Sequence, residues 1–207
     1  MPVTIAELVD PATTAVITME LQRGVCGDLA SMPIITEAVD KVGVISATAQ
    51  VLASARQAGV TVVHCTFSLM ADRAGTPLNA PLIQMLARNP AHLLHGSEST
   101  DLCQGLAAAA TDLVSNRHHG FSPFTGTNLD EILRSHQVTT VVVTGMSLNL
   151  GIPGTVIEAV NLGYRVVVVR NCVAGMPTEY GDQIIKNTLS MVSTITEGEA
   201  LIAAWET

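Results

Sequence analysis

The sequence predicts an α/β protein: a single-domain, doubly wound, mostly parallel sheet of about six strands, with helices on both faces. Three observations predict it. Short β-branched runs alternate with helical patterns along the whole chain. The strongest runs are almost continuously apolar, as in strands buried on both faces of a parallel sheet. The chain has 207 residues and no internal repeat, low-complexity tract or linker, which fits one domain over 1–207.

The elements follow in order. Residues 14–19 and 60–66 are the first two strands, each rich in Val, Ile and Thr. A long helical pattern over 37–58 ends before Gly59, a C-cap position. Residues 112–115 form a weaker third strand. A helix starts near Thr127, with Asp130 and Glu131 in a first turn that suits the helix dipole. The runs 138–144 and 165–170 are the fourth and fifth strands. Between them a helix over 153–162 ends at Gly163. A further helix over 181–191 leads to a last short strand at 193–196.

In such sheets ligands sit beyond the carboxyl ends of the strands. Those ends carry Glu20-Leu21-Gln22, then Cys65 to Ser68, then Asn116 to Phe124, then Met146 to Gly151, then Asn171-Cys172. One crevice is expected to gather them. No G-x-G-x-x-G follows the first strand, so no dinucleotide is expected.

Composition narrows the partners. The formal net charge is -8, which argues against nucleic acid, whose phosphates need a basic face. No Lys/Arg-rich run suggests a membrane surface, and no uncharged apolar stretch reaches the roughly 18 residues that span a bilayer. The first eight residues lack a basic region followed by a long apolar run, so no leader is expected. Four widely spaced cysteines without a C-x-x-C pair fit a reduced, cytoplasmic setting. With 48% hydrophobic and only 14% charged residues, the chain is expected to bury surface in a homodimer or larger homo-oligomer.

Three segments resemble the isochorismatase-like cysteine hydrolases. Glu20-Leu21-Gln22 is similar to the Asp-x-Gln these proteins carry after the first strand. Ser122-Pro123-Phe124-Thr125-Gly126-Thr127-Asn128-Leu129 resembles their Ser-x-Phe and Gly-Thr-x-Leu helix start, with His118 at the lysine position four residues earlier. The turn Thr144-Gly145-Met146-Ser147-Leu148-Asn149-Leu150-Gly151 resembles their nucleophile turn, with Gly151 where the cysteine is usual. Thr155, Ala159 and Gly163-Tyr164-Arg165 continue the rhythm, so the resemblance runs from about residue 13 to 196. It implies a Rossmann-type isochorismatase-like fold acting on a small-molecule substrate. It also implies a cis peptide at Met146–Ser147.

The resemblance implies Glu20 and His118 as catalytic residues and Gln22, Phe124, Ser147 and Gly151 as substrate-binding ones. Isochorismatases proper also carry Gly for the cysteine and hydrolyse a vinyl ether, which needs an acid and water but no covalent nucleophile. Glu20 is then expected as general acid or base, with burial favouring its protonated form.

Other chemistries are weaker. Gly145-Met146-Ser147-Leu148-Asn149 approximates a serine nucleophile elbow, but all six histidines lie at or before His136, so none follows Ser147. His92 and His95 lack a third ligand, so no metal is expected, nor any other cofactor. Three readings stay open: a cysteine-independent hydrolase, a non-catalytic small-molecule-binding relative, and an amidase whose nucleophile has moved.

Overall fold

The computed structural model describes residues 4–206. Its six strands are β1 (Thr14–Met19), β2 (Thr61–Phe67), β3 (Leu113–Arg117), β4 (Thr140–Met146), β5 (Arg165–Ala174) and β6 (Thr194–Thr196). All neighbours pair parallel, in the order β3-β2-β1-β4-β5-β6. The order reverses between β1 and β4, which is where a crevice opens in doubly wound sheets.

The helices are α1 (Ile5–Leu8), α2 (Arg23–Cys26), α3 (Pro33–Val42), α4 (Val44–Gln57), α5 (Pro81–Ala87), α6 (Leu129–Ser135), α7 (Gly151–Asn161), α8 (Thr178–Asn187) and α9 (Gly198–Trp205). Side-chain alternation along each strand divides the core in two. Val16, Val62, Val142 and Val167 face one layer, against Val39 of α3, Leu52 of α4 and Leu201 of α9. Ile17, Val63, Val143 and Val168 face the other, against Leu133 of α6, Val156 of α7 and Ile185 of α8. Both faces of the central strands are therefore dry, as their unbroken apolar runs require.

β1 has the expected bounds. Strands β2 to β5 run one to four residues further at their carboxyl ends than the sequence pattern suggests. The expected single helix over 37–58 is two helices, because Gly43 adopts φ 78 and breaks the hydrogen-bond ladder between α3 and α4. Four short helices escape the periodicity: α1 and α2, of four residues each, α5, which opens on Pro81 at its first turn, and α9 at the carboxyl end. Among the described residues no helix is long and apolar enough to cross a membrane.

One glycine fixes how β4 meets β1. Gly145 lies opposite Met19 with φ 107, and a Cβ there would sit 2.2 Å from the Met19 carbonyl oxygen. Only glycine allows this approach. It lets the β4 turn close over the end of β1, beside Glu20.

Candidate active site

The carboxyl ends of β1 to β4 open into a cavity of about 340 Å³. That is at the lower end of the roughly 300–1,000 Å³ of small-molecule sites. Its floor is Glu20, Arg117, Met146, Ser147 and Gly151; Ile35 of α3 and Ile83 and Leu86 of α5 form its upper walls.

Glu20 is the first residue past β1. Its N–H donates to the Cys65 carbonyl at 2.9 Å, and it adopts φ 53. Left-handed backbone is uncommon outside glycine and, where held by its surroundings, often marks a functional position. Here it turns the carboxylate off the strand and into the cavity. The carboxylate accepts a hydrogen bond from Nη2 of Arg117.

Arg117 ends β3 and its side chain is 2% exposed. Its Nε reaches the Gly120 carbonyl at 3.4 Å, its Nη1 reaches the Met19 sulfur at 3.9 Å, and the guanidinium lies 5.1 Å from the Phe67 ring centroid. Burial pulls its pKa down to about 10, which still leaves it charged at neutral pH. A guanidinium in contact with a carboxylate favours the ionised form of the carboxylate. The sequence reading, which weighs burial alone, does not foresee this buried cation in contact with the Glu20 carboxylate.

The cation opposite Glu20 is Arg117, whereas the sequence reading puts His118 there. The reason is strand parity. β3 continues to Arg117, so alternation turns Arg117 to the cavity side and His118 to the other. His118 Nδ1 hydrogen bonds the Ser68 carbonyl at 2.9 Å, and its ring packs edge-on against His95. It does not line the cavity.

Two further expectations are corrected. Gln22 is fully buried and does not line the cavity. Its amide oxygen accepts from Phe67 N–H at 2.8 Å, and its nitrogen donates to the carbonyls of Phe67 at 3.0 Å and Thr100 at 2.9 Å. It braces the strand ends instead of meeting a ligand. Phe124 stacks on Tyr164 within the core, with ring centroids 6.1 Å apart, and the aromatic walls are Phe67 and Phe121.

The turn between β4 and α7 supplies the remaining floor. Its Met146–Ser147 peptide is cis. Leu148 N–H donates to the Ala174 carbonyl at 2.8 Å, and Ile152 N–H to that of Ser147 at 2.9 Å. Asn149 clasps the neighbouring loop, donating to the Met176 carbonyl at 2.6 Å and accepting from its N–H at 2.8 Å. Gly151 opens α7, where a backbone N–H has no partner within the helix. A Cβ at Gly151 would lie 2.9 Å from the Met146 carbonyl oxygen and 3.2 Å from the Met19 methyl carbon. Bare backbone thus meets the cavity here with the positive end of an 11-residue helix behind it.

His92 also lines the cavity, which sequence reasoning missed by weighing it only as a metal ligand. Burial, with a contribution from Arg73, holds its pKa below the ordinary histidine value. No cysteine lines the cavity, and all four are buried. Cys26 and Cys103 lie 3.8 Å apart, sulfur to sulfur. Burial pushes the Cys65 and Cys172 thiols up to about 12, which disfavours the thiolate. Among the described residues no group of three or more His, Cys, Asp or Glu side chains is placed to share a metal ion.

Comparison with known proteins matches this architecture. The isochorismatase domain model matches residues 14–200. A maleamate amidohydrolase from Pseudomonas putida is 30% identical over 138 residues, 63% of this chain and 61% of its own length. The matched part thus spans less than two thirds of that relative. A cysteine hydrolase from Pseudomonas syringae pv. phaseolicola superposes with a TM-score of 0.83 over 96% of this chain and 95% of its own, at 20% identity. An isochorismatase family protein from Desulfovibrio vulgaris gives 0.77 over 94% and 99%, at 26% identity. The chain belongs to the isochorismatase family of hydrolases.

Proposed function

We propose that this isochorismatase-family chain hydrolyses a small molecule with water as nucleophile and Glu20 as the group that moves the proton, without a thiolate. The observation that carries the reading is the Glu20 carboxylate, turned into the cavity by a left-handed backbone and held against buried Arg117. An ionised carboxylate so placed is a general base. It takes a proton from water as the oxygen adds to an electrophilic carbon, and returns it to the leaving group. Charge developing on the substrate oxygen is met by the amino end of α7 at Gly151, where backbone dipoles are fixed in advance.

The paired Arg117 moves the balance from vinyl-ether hydrolysis, which needs a proton-loaded acid, toward addition of water to an acyl carbon. The amide chemistry named for the Pseudomonas putida relative belongs to that second class. The reading of a displaced cysteine nucleophile loses support, because every thiol is buried and none lines the cavity.

The experiment is a screen of small amides and esters, followed by Glu20→Gln on whatever turns over. The variant keeps the shape and a hydrogen-bond acceptor for Arg117 but lacks the base. Turnover is expected to fall by about a hundredfold or more while ligand binding persists, the range typical of a lost general base. Undiminished turnover in Glu20→Gln removes Glu20 from the chemistry.

A further inference from the structure

The charges of the cavity state which molecules it accepts. Among the described lining residues, Glu20 and Arg117 alone are formally charged, and they neutralise one another. Each nitrogen of Arg117 already meets a partner, Nη2 Glu20, Nε the Gly120 carbonyl and Nη1 the Met19 sulfur, so that three of its five N–H groups are engaged and its charge is matched by Glu20. His92 is held toward its neutral form by burial. Arg73, the cation that acts on His92, spends its guanidinium on the carbonyls of Met70, Ala87 and Asn89. Asn149 is committed to both backbone groups of Met176. Most of the remaining surface is hydrocarbon, contributed by Val25, Ile35, Phe67, Ile83, Leu86 and Phe121.

We infer that the cavity takes a neutral, mainly apolar small molecule that presents one polar group to the Glu20 end, and that it rejects carboxylates. This rests on the hydrolytic reading only for what happens to that polar group. A carboxylate ligand would bring a second negative charge beside Glu20 and find no cationic side chain in the lining except Arg117, which Glu20 already holds; the amino end of α7 at Gly151 offers it only a partial positive charge. Like charges brought together in a poorly solvated site repel strongly, and an unpaired buried charge keeps its full desolvation cost. A neutral amide or ester loses only hydrogen bonds to water, and the apolar walls favour its hydrocarbon portion. The inference separates this chain from its relative named for maleamate, which is itself a carboxylate.

The test is calorimetric binding of matched pairs to the intact protein at neutral pH: benzamide and benzoate, cinnamamide and cinnamate, hexanamide and hexanoate. The amide of at least one pair is expected to bind about a hundredfold or more tightly than its carboxylate. Leu86→Arg places a cation in the wall of α5, away from Glu20, and is expected to narrow that ratio at least about tenfold. Equal or tighter binding of the carboxylates overturns the inference, as does an absence of binding by all three amides. Amides that bind selectively, with no amide or ester turned over, uphold the substrate class and remove the hydrolytic reading. A carboxylate turned over faster than its neutral partners does the reverse.

Discussion

Arg117→Met removes the buried partner of Glu20 while nearly preserving volume. The Arg117 side chain is 2% exposed and that of Glu20 21% exposed, so the substitution strands a largely desolvated carboxylate. Breaking a buried pair in this way costs about 3–5 kcal/mol. The partial exposure of Glu20 places this one at the lower end, about 3 kcal/mol. With a urea slope of about 3 kcal/mol per molar, the unfolding midpoint is expected to fall by about 1 M. The companion variant Arg117→Met/Glu20→Gln removes the stranded charge and is expected to recover at least about half of that loss, because much of the cost is the unpaired charge itself. The assay is urea denaturation of the four proteins in the cycle at pH 7. A loss below about 1 kcal/mol in Arg117→Met, or a double variant no more stable than it, refutes the ion pair as the anchor of the site.

Three further outcomes follow from the same structure. Gly151→Cys is expected to yield no substantial amide hydrolysis. The new side chain must displace the Met146 carbonyl or the Met19 methyl, and a misplacement of about 1 Å costs about a hundredfold in rate; robust turnover of a small amide would count against this geometry. Stability is expected to decline as pH falls below about 6.5. Burial lowers the pKa of His64 despite its contact with Asp112, so the unfolded chain binds the proton more readily. The contribution is complete above the unfolded value and is lost as pH falls through the depressed folded one. A thermal-melt series showing no loss between pH 7 and 5 would contradict it. The protein is expected to sediment as a dimer or larger species at micromolar concentration, since Met191, Val114 and Ile34 are 79%, 56% and 52% exposed; a monomer would exclude that reading.

The sheet was legible because its strands are apolar on both faces, a pattern that needs no knowledge of what packs against them. The place of Glu20 at the cavity was legible because β1 has the expected bounds, so its first loop residue is fixed, and the resemblance of Glu20-Leu21-Gln22 to the family's Asp-x-Gln points to the same residue. Arg117 was not. The polar end of β3, Asn116-Arg117, carries no strand signal of its own and is held in the sheet by pairing with Thr66 and Phe67 of β2. A strand read as ending at 115 loses its parity, and side-chain direction with it. Gln22 and Phe124 lie in the right loops, but the side chains turn inward because a backbone edge and a ring already wait there. His92 is set on the wall by the loop after α5, and no local rule aims a loop histidine at a cavity.

The central claim is that Glu20, and no thiol, carries the chemistry. Its most direct measurement is the turnover number of a variant with Cys26, Cys65, Cys103 and Cys172 all replaced by alanine, set beside Glu20→Gln on one substrate. Since no cysteine lines the cavity, the cysteine-free protein is expected to keep its turnover within about threefold wherever circular dichroism shows it folded, while Glu20→Gln loses about a hundredfold or more. A folded cysteine-free protein without turnover, beside an active Glu20→Gln, would contradict the claim.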